Sequence, residues 1–370
     1  MTQTERQILE LIEADPMISQ EQLAKTLGIT RSSAAAHISN LMKNGYIAGK
    51  GYVLNQGHYV VVVGGVNVDI GGRPFTPLTA QDSNPGKVTT SLGGVGRNIA
   101  HNISLMGLNS HLLTAFGDDV YAQKIIDSCT ALNIDISHAL KVSDGTTPVY
   151  LFINDYDGDM ALAVSDMSIC DKITPAYLNA NLQTINNAQL VVADTNIPEE
   201  SIVWLSENCT VPLFTDPVST KKAVKLKNVL GKFHTIKPNR IEAELLSGIA
   251  IHDNESLYTA AKVLLDKGLE RVFISLGTKG VLAADHNEML ICPCYPAVMK
   301  NATGAGDAFM AALVRAYTEE LDLSETAKFA SAAAALAVES METINPSMSI
   351  ETIRKKISEN SIEIQKITEP

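Results

Sequence analysis

No stretch of this 370-residue chain is apolar over anything near the roughly 20 residues that a membrane-crossing helix needs. The opening Met1-Thr2-Gln3-Thr4-Glu5 also lacks the apolar core of a secretory signal. Cysteine is scarce: five residues, an odd number, with no CxxC pair. That count removes a disulfide framework and a thiolate zinc site, leaves Cys292-Pro293-Cys294 as strand residues, and fits a reducing, cytoplasmic setting. An excess of basic charge is missing too. A net charge of −12 excludes a protein that coats nucleic acid with its whole surface, while leaving room for one local basic face. What remains, 45% hydrophobic and 19% charged residues, describes a globular chain long enough for two domains.

Residues 1–55 read as three short helices and a hairpin. Thr4-x-x-Gln7 and Ser19-x-x-Gln22 have the spacing of capping boxes, and Thr30 suits a third N-cap. Apolar residues recur at helical spacing, with Ile8, Leu11 and Ile12 in the first helix, Leu23 and Leu27 in the second, and Ala34, Ile38 and Leu41 in the third. Tyr46-Ile47, a Gly49-Lys50-Gly51 turn and Tyr52-Val53-Leu54 then form a small wing. This resembles a winged helix-turn-helix, with 30–43 as recognition helix. The acids of the segment fall in its first two helices, whereas Arg31, Lys43 and Lys50 belong to the third helix and the wing. Arg31, Ser32, Ser33 and His37, with those two lysines, are the candidate DNA contacts, for a weak binder that neutralises few phosphates. Packing or dimerisation by the same module is the alternative.

From Tyr59 onward the pattern alternates between short β-branched runs (59–63, 111–115, 189–193, 211–215, 233–236 and 271–275) and amphipathic helices. Such alternation predicts an α/β domain over about 58–365, built on a mostly parallel sheet covered on both faces, with ligands at the carboxyl ends of the strands. Two stretches break the rhythm: 73–91 is polar and turn-rich, and 148–164 alternates. Together they predict a small antiparallel lid, discontinuous in sequence.

The motifs of this domain carry chemistry. Asn301-Ala302-Thr303-Gly304-Ala305-Gly306-Asp307 runs straight into an apolar helix. It sets free backbone N–H groups, the positive end of a helix dipole and one carboxylate within a single turn, which suits a migrating phosphoryl group; a plain helix cap is the alternative. In Gly64-Gly65-Val66-Asn67-Val68-Asp69, an extended chain points Asn67 and Asp69 to one side, where they could chelate adjacent sugar hydroxyls or simply finish a polar turn. Gly93-Gly94-Val95-Gly96-Arg97-Asn98 opens a helix without the order of a dinucleotide fingerprint; its glycines would let a sugar approach, Asn98 would bind a hydroxyl, and Arg97 would face solvent or the lid. In Lys237-Pro238-Asn239-Arg240-Ile241-Glu242, Asn239 and Glu242 are neighbours at a helix start, placed either to hold Mg²⁺ through its water shell or to form a capping box. Ser275-Leu276-Gly277-Thr278-Lys279-Gly280 leaves a strand as a tight turn suited to nucleotide contact.

As an ordered set, these motifs resemble the ribokinase (PfkB) family of carbohydrate and nucleoside kinases, over about 58–365. With the winged helix in front, the chain is similar to the pseudouridine- or nucleoside-kinase subgroup. The resemblance implies a ribokinase-like Rossmann-type α/β fold with a β lid shared in a homodimer, and ATP- and Mg²⁺-dependent phosphorylation of a primary hydroxyl. Residue by residue it implies Asp307 as base and Gly304, Ala305 and Gly306 as anion hole. Asn67, Asp69, Gly93, Gly94 and Asn98 would bind the sugar. Asn239, Ser275, Gly277, Gly280, Thr303 and Asn345 would serve the nucleotide, and Glu242 the metal. Two departures are present. Asn301 stands where the family commonly has an Asp of a monovalent-cation loop, which leaves K⁺ activation open, and 339–346 matches the closing loop only loosely. The reading is an ATP-dependent kinase acting on the 5′-hydroxyl of a ribosyl substrate, pseudouridine or another nucleoside. A sugar- or nucleoside-sensing transcriptional regulator and a simple sugar kinase are the alternatives.

Overall fold

Thr2 opens the first helix: its hydroxyl accepts from the Glu5 N–H while the Glu5 carboxylate accepts from the Thr2 N–H at 2.7 Å. The capping box is therefore Thr2–Glu5 and not the expected Thr4–Gln7. The earlier start sets an ionised acid in the first turn, where the helix dipole favours it. The computed structural model describes residues 1–47 and 59–367 and separates into two units, Met1–Tyr59 and Val60–Pro370.

In the first unit, helices α1 (Gln3–Ala14), α2 (Gln20–Leu27) and α3 (Arg31–Lys43) close around Ile8, Ile12, Leu23, Ile38 and Leu41, joined by Ile47. Leu11 and Leu27 pack at the margin of this cluster. The Ser19–Gln22 capping box and the Thr30 N-cap form as expected. The expected wing turn, Lys50 and the strand Tyr52-Val53-Leu54 lie outside the described residues.

The second unit runs β1 (Tyr59–Val63), β2 (Asn67–Pro74), β3 (Gly86–Gly93), α4 (Val95–Leu105), β4 (Asn109–Leu113), β5 (Ala115–Phe116), α5 (Val120–Ala131), β6 (Ile134–Asp135), β7 (Leu140–Lys141), β8 (Val149–Asn154) and β9 (Met160–Asp166). It continues through α6 (Pro175–Ala180), α7 (Leu182–Asn186), β10 (Val191–Asp194), α8 (Glu199–Asn208), β11 (Leu213–Asp216), α9 (Thr220–Ala223), β12 (Thr235–Ile236), α10 (Arg240–Ser247) and α11 (Asn254–Asp266). It closes with β13 (Arg271–Ser275), β14 (Val281–Asp285), β15 (Met289–Cys292), α12 (Ala305–Thr318), α13 (Leu323–Val338), α14 (Ile350–Glu359) and β16 (Gln365–Ile367).

Ten strands form one sheet in the order β16-β15-β14-β13-β12-β11-β10-β1-β4-β6. It is parallel from β1 through β10, β11 and β12 to β13, and antiparallel from β13 to β16. Every residue of β1 is buried, as expected of a central parallel strand with helices on both faces. Apolar residues of α4, α12 and α13 complete the core against it.

The lid is a second sheet in the order β3-β2-β8-β9, assembled from two separate stretches of chain. It begins at Asn67, earlier than expected, with β2 and β3 flanking the turn-rich segment, and it is not wholly antiparallel as expected, because β2 pairs with β8 in parallel. The candidate sugar-binding pair therefore sits on a lid strand.

Candidate active site

Four strands end at one rim of the main sheet, and polar or charged residues stand at or just past their ends. Asp194 ends β10 and Asp216 ends β11, as direct register partners. Lys237 follows β12, and Asn239 bridges Ser275 at the end of β13. Asp194 and Asp216 lie outside every motif, and Lys237, which opens the 237–242 motif, was given no role by it. Each ends or follows an apolar run, at the edge where open α/β sheets bind ligands.

Asp194, fully buried, works inside the protein. Its Oδ2 accepts from the N–H groups of Gly65 at 2.9 Å and Gly96 at 2.8 Å, and its Oδ1 from Asn196 N–H at 2.8 Å. One carboxylate thus ties the loop after β1 to the start of α4. The two loops touch so closely that a Cβ on Gly94, whose φ is +96°, would lie 2.5 Å from the Gly65 carbonyl oxygen. Only glycine fits there.

The candidate sugar pair is ordered by this packing. Asn67 Nδ2 donates to Asp69 Oδ1 at 2.6 Å, and Asp69 lies against Gly93, the register partner of Asn67. Burial raises the Asp69 carboxyl, against the Asn67 hydrogen bond and the Arg97 charge. Arg97 itself corrects the sequence expectation. It is buried, donating to the Leu92 carbonyl at 3.2 Å and to Ser128 Oγ at 2.8 Å, so it braces the loop from within instead of facing solvent or lid.

Asn98 joins this wall to the start of α12. Its Nδ2 donates to Asp307 Oδ2 at 2.8 Å. Asp307 occupies the first turn of α12, behind Gly304, the N-cap, in left-handed conformation with φ +84°; a Cβ on Gly304 would run into the Thr343 carbonyl oxygen. The first turn of α12 leaves N–H groups without helical partners, and Gly306 adds no side chain to shield them. Burial pushes the Asp307 carboxyl up to about 7; Asp216 and Asp194 add to the rise, and the Asn98 hydrogen bond and Lys237 oppose it.

Lys237, also buried, pairs with Asp216 Oδ2 at 3.1 Å and interacts electrostatically with both Asp307 and Glu242. Asn239 and Glu242 form a full capping box at the start of α10: Glu242 N–H donates to Asn239 Oδ1 at 2.9 Å, and Asn239 N–H to Glu242 Oε2 at 2.9 Å. Burial raises Glu242. The Gly277 turn after β13 is closed by Leu276 N–H on the Gly280 carbonyl at 2.9 Å, with both glycines at positive φ.

The structure gives two of the nucleotide-side candidates internal partners. Asn345 donates to the Leu336 carbonyl near the end of α13 at 2.7 Å and accepts from Ser347 N–H in the following loop at 2.9 Å, so both ends of its amide have partners within the chain. Thr303 is exposed, its N–H held by Asn301 Oδ1 at 3.0 Å. In the first unit, Arg31, Ser32 and Lys43 are exposed along α3, and Ser33 spends its N–H on the Thr30 cap. His37, on the same helix, is half-buried, with its Nδ1 3.7 Å from Glu5 Oε1 of α1.

Among the described residues, no helix is long and apolar enough to cross a membrane. Residues 58–350 match the model of the pfkB family of carbohydrate kinases, and residues 1–48 match a winged helix-turn-helix DNA-binding model. The chain is 38% identical over 303 residues to the pseudouridine kinase of Escherichia coli (strain K12), covering 81% of this chain and 96% of that protein. It is 36% identical over 353 residues to the uncharacterized sugar kinase YeiI of the same organism, covering 94% and 97%. Its fold is similar to that of Arabidopsis thaliana ribokinase complexed with ribose and ATP, with a TM-score of 0.73 at 22% identity, covering 81% and 99%. The chain belongs to the pfkB family of carbohydrate kinases, ATP-using phosphotransferases that act on a sugar or nucleoside hydroxyl, and carries a winged helix-turn-helix ahead of the kinase domain.

Proposed function

We propose that this kinase phosphorylates the 5′-hydroxyl of a ribosyl substrate, with pseudouridine first among the candidates and other nucleosides behind it. One observation carries the mechanism: the Asn98–Asp307 hydrogen bond, which fixes a carboxylate of raised proton affinity in the first turn of α12. A base poised near neutrality takes the hydroxyl proton as the oxygen attacks. Asn67, Asp69 and Asn98 hold the sugar, with Gly93 and Gly94 allowing close approach. The N–H groups of Gly304, Ala305 and Gly306 meet the charge that grows on the phosphoryl oxygens.

ATP supplies the phosphoryl group. The site fits it: an unshielded helix N-terminus, a buried lysine beside it, and the positive-φ turn at Gly277 and Gly280 next to Ser275. Asn239 and Glu242 would organise Mg²⁺. Among the described residues no cluster of three or more His, Cys, Asp or Glu side chains could cage a metal alone. A magnesium ion held through phosphates and water agrees with that donor set. Segment 301–303 offers K⁺ no charge, since Asn301 spends its amide on the Met341 carbonyl and the Thr303 N–H.

The lid supports a nucleoside over a bare sugar. By register, Tyr150 and Phe152 of β8 share the face of Asp69 and Gly71, and their rings lie 5.7 Å apart. Phe152 borders a cleft of about 860 Å³ lined also by Gly71, Phe75, Lys87, Asn154 and Met341, room for a flat base beyond the ribose. The other lid face exposes Val88, Leu162 and Val164, each at least 60% accessible, an apolar surface suited to a second copy of this chain. Five free cysteines suit a cytoplasmic enzyme. The match of residues 1–48 to a DNA-binding model favours a second role, coupling DNA binding to the kinase. A pure sensor could dispense with a base, and this chain keeps Asp307. A coupled assay over pseudouridine, uridine, cytidine, inosine and ribose tests the proposal. Turnover with a nucleoside above that with ribose supports it; silence of the folded protein across the panel would transfer the reading to the sensor.

A further inference from the structure

Two buried side chains near Asp307, the lysine beside the helix N-terminus and its carboxylate partner, take no catalytic step in the scheme above. Lys237 and Asp216 are 8% and 6% exposed and pair at 3.1 Å. Removing two charges from water costs more than most ion pairs return, so a pair kept at a reaction centre calls for a task. Asp216 is held on its other side as well, its Oδ1 accepting the Val218 N–H at 2.8 Å. Val218 has φ +60°, which is strained for a β-branched residue. Strained backbone thus fixes the carboxylate that fixes the lysine. Lys237 Nζ in turn lies 3.3 Å from where a Cβ on Gly306 would sit, in the first turn of α12. Glycine at 306 keeps the space between the ammonium and the helix N-terminus clear.

We propose that Lys237 is a further catalytic residue, adding a charged donor to the anion hole at Gly304–Gly306, and that Asp216 is its positioning residue. The inference rests on the kinase reading above. In the transfer step a bond forms between the substrate hydroxyl oxygen and the γ-phosphorus, and the bond from that phosphorus to the β–γ bridging oxygen breaks. The electron pair leaves with ADP, and the hydroxyl proton passes to Asp307. Lys237 keeps its proton throughout and acts as a cation facing the transferring group, in the water-excluded setting where such charge is worth most.

The test uses the full chain with Lys237→Met, Lys237→Arg and the double variant Lys237→Met/Asp216→Asn. Calorimetry compares a non-hydrolysable ATP analogue with ADP, and steady-state kinetics separates kcat from the KM of the acceptor. Lys237→Met is expected to lower kcat by roughly 10²–10³-fold, leave acceptor KM within a few fold, and weaken the triphosphate analogue at least tenfold more than ADP. Lys237→Arg should recover part of both losses. The double variant removes both charges and guards against a folding defect from an orphaned Asp216. If Lys237 serves the phosphoryl group, its kcat stays low; if Lys237 only neutralises Asp216, the double variant returns to wild-type kcat and the inference is overturned. Unchanged discrimination between the triphosphate analogue and ADP in Lys237→Met overturns it equally. A wild type silent toward every acceptor, yet with Lys237-dependent preference for the triphosphate, would sink the acceptor reading and support this inference.

Discussion

Asn98 and Asp307, 209 residues apart in sequence, meet in a 2.8 Å hydrogen bond that ties the first turn of α4 to the first turn of α12. Through it the glycine loop that would admit the sugar and the glycine turn that would receive the phosphoryl group share one carboxylate. Asp307 is thereby oriented, while burial decides its proton affinity.

A base titrating near 7 dictates the pH profile. Protonated Asp307 cannot accept the hydroxyl proton, so log kcat/KM should rise with unit slope up to about pH 7 and level off above it. A profile flat down to pH 5, measured with saturating ATP, would remove Asp307 from the role.

The same carboxyl sets a stability trend of definite sign. In the unfolded chain it ionises at its ordinary 3.8; in the folded protein it does so at about 7. Stability contributed by the neutral carboxyl is therefore complete below about pH 4, falls between pH 4 and pH 7, and is gone above. The interval is worth on the order of 4 kcal/mol. Asp307→Asn, which keeps an acceptor for Asn98, should match wild type at pH 4 in denaturant unfolding and exceed it at pH 8. Equal stabilities at both pH values would contradict a strained carboxylate.

Gly304→Ala asks an L-residue to hold φ +84° and drives a Cβ into the Thr343 carbonyl. The left-handed conformation alone costs roughly 1–2 kcal/mol. The clash displaces the turn, so kcat should fall by at least tenfold with a lowered melting temperature. Wild-type values for both would mean that the turn tolerates a side chain.

For the first unit, Arg31→Ala/Lys43→Ala should abolish salt-dependent retardation of DNA flanking the gene. His37→Ala should leave it in place, since His37 faces Glu5. A larger loss from His37 than from Arg31 and Lys43 would put the DNA face elsewhere.

Local chemistry made much of this legible. The 59–63 and 271–275 strands and the Ser19–Gln22 box depend on neighbours in sequence, and the structure has them where expected; Asn98, Asp307 and Asn239 stand at helix starts, as their motifs predicted. The misses depend on neighbours in space. The expected 189–193 and 211–215 strands stop short of Asp194 and Asp216, because an apolar run ends at the first acid whereas the hydrogen-bonded ladder continues through it. Arg97 looked like a surface residue until Leu92 and Ser128 closed around it. Asn345 was offered to the nucleotide by position, and its bond to the Leu336 carbonyl of α13 could not be read from that position.

The central claim, phosphoryl transfer to a ribosyl hydroxyl with Asp307 as base, is tested most directly by acceptor-dependent ADP release from wild type and Asp307→Asn, alongside calorimetric binding of the same nucleoside. The account predicts steady turnover by wild type, a loss of at least roughly 10³-fold in the variant, and nucleoside affinity unchanged within a few fold. A folded Asp307→Asn protein that turns over at the wild-type rate would contradict it.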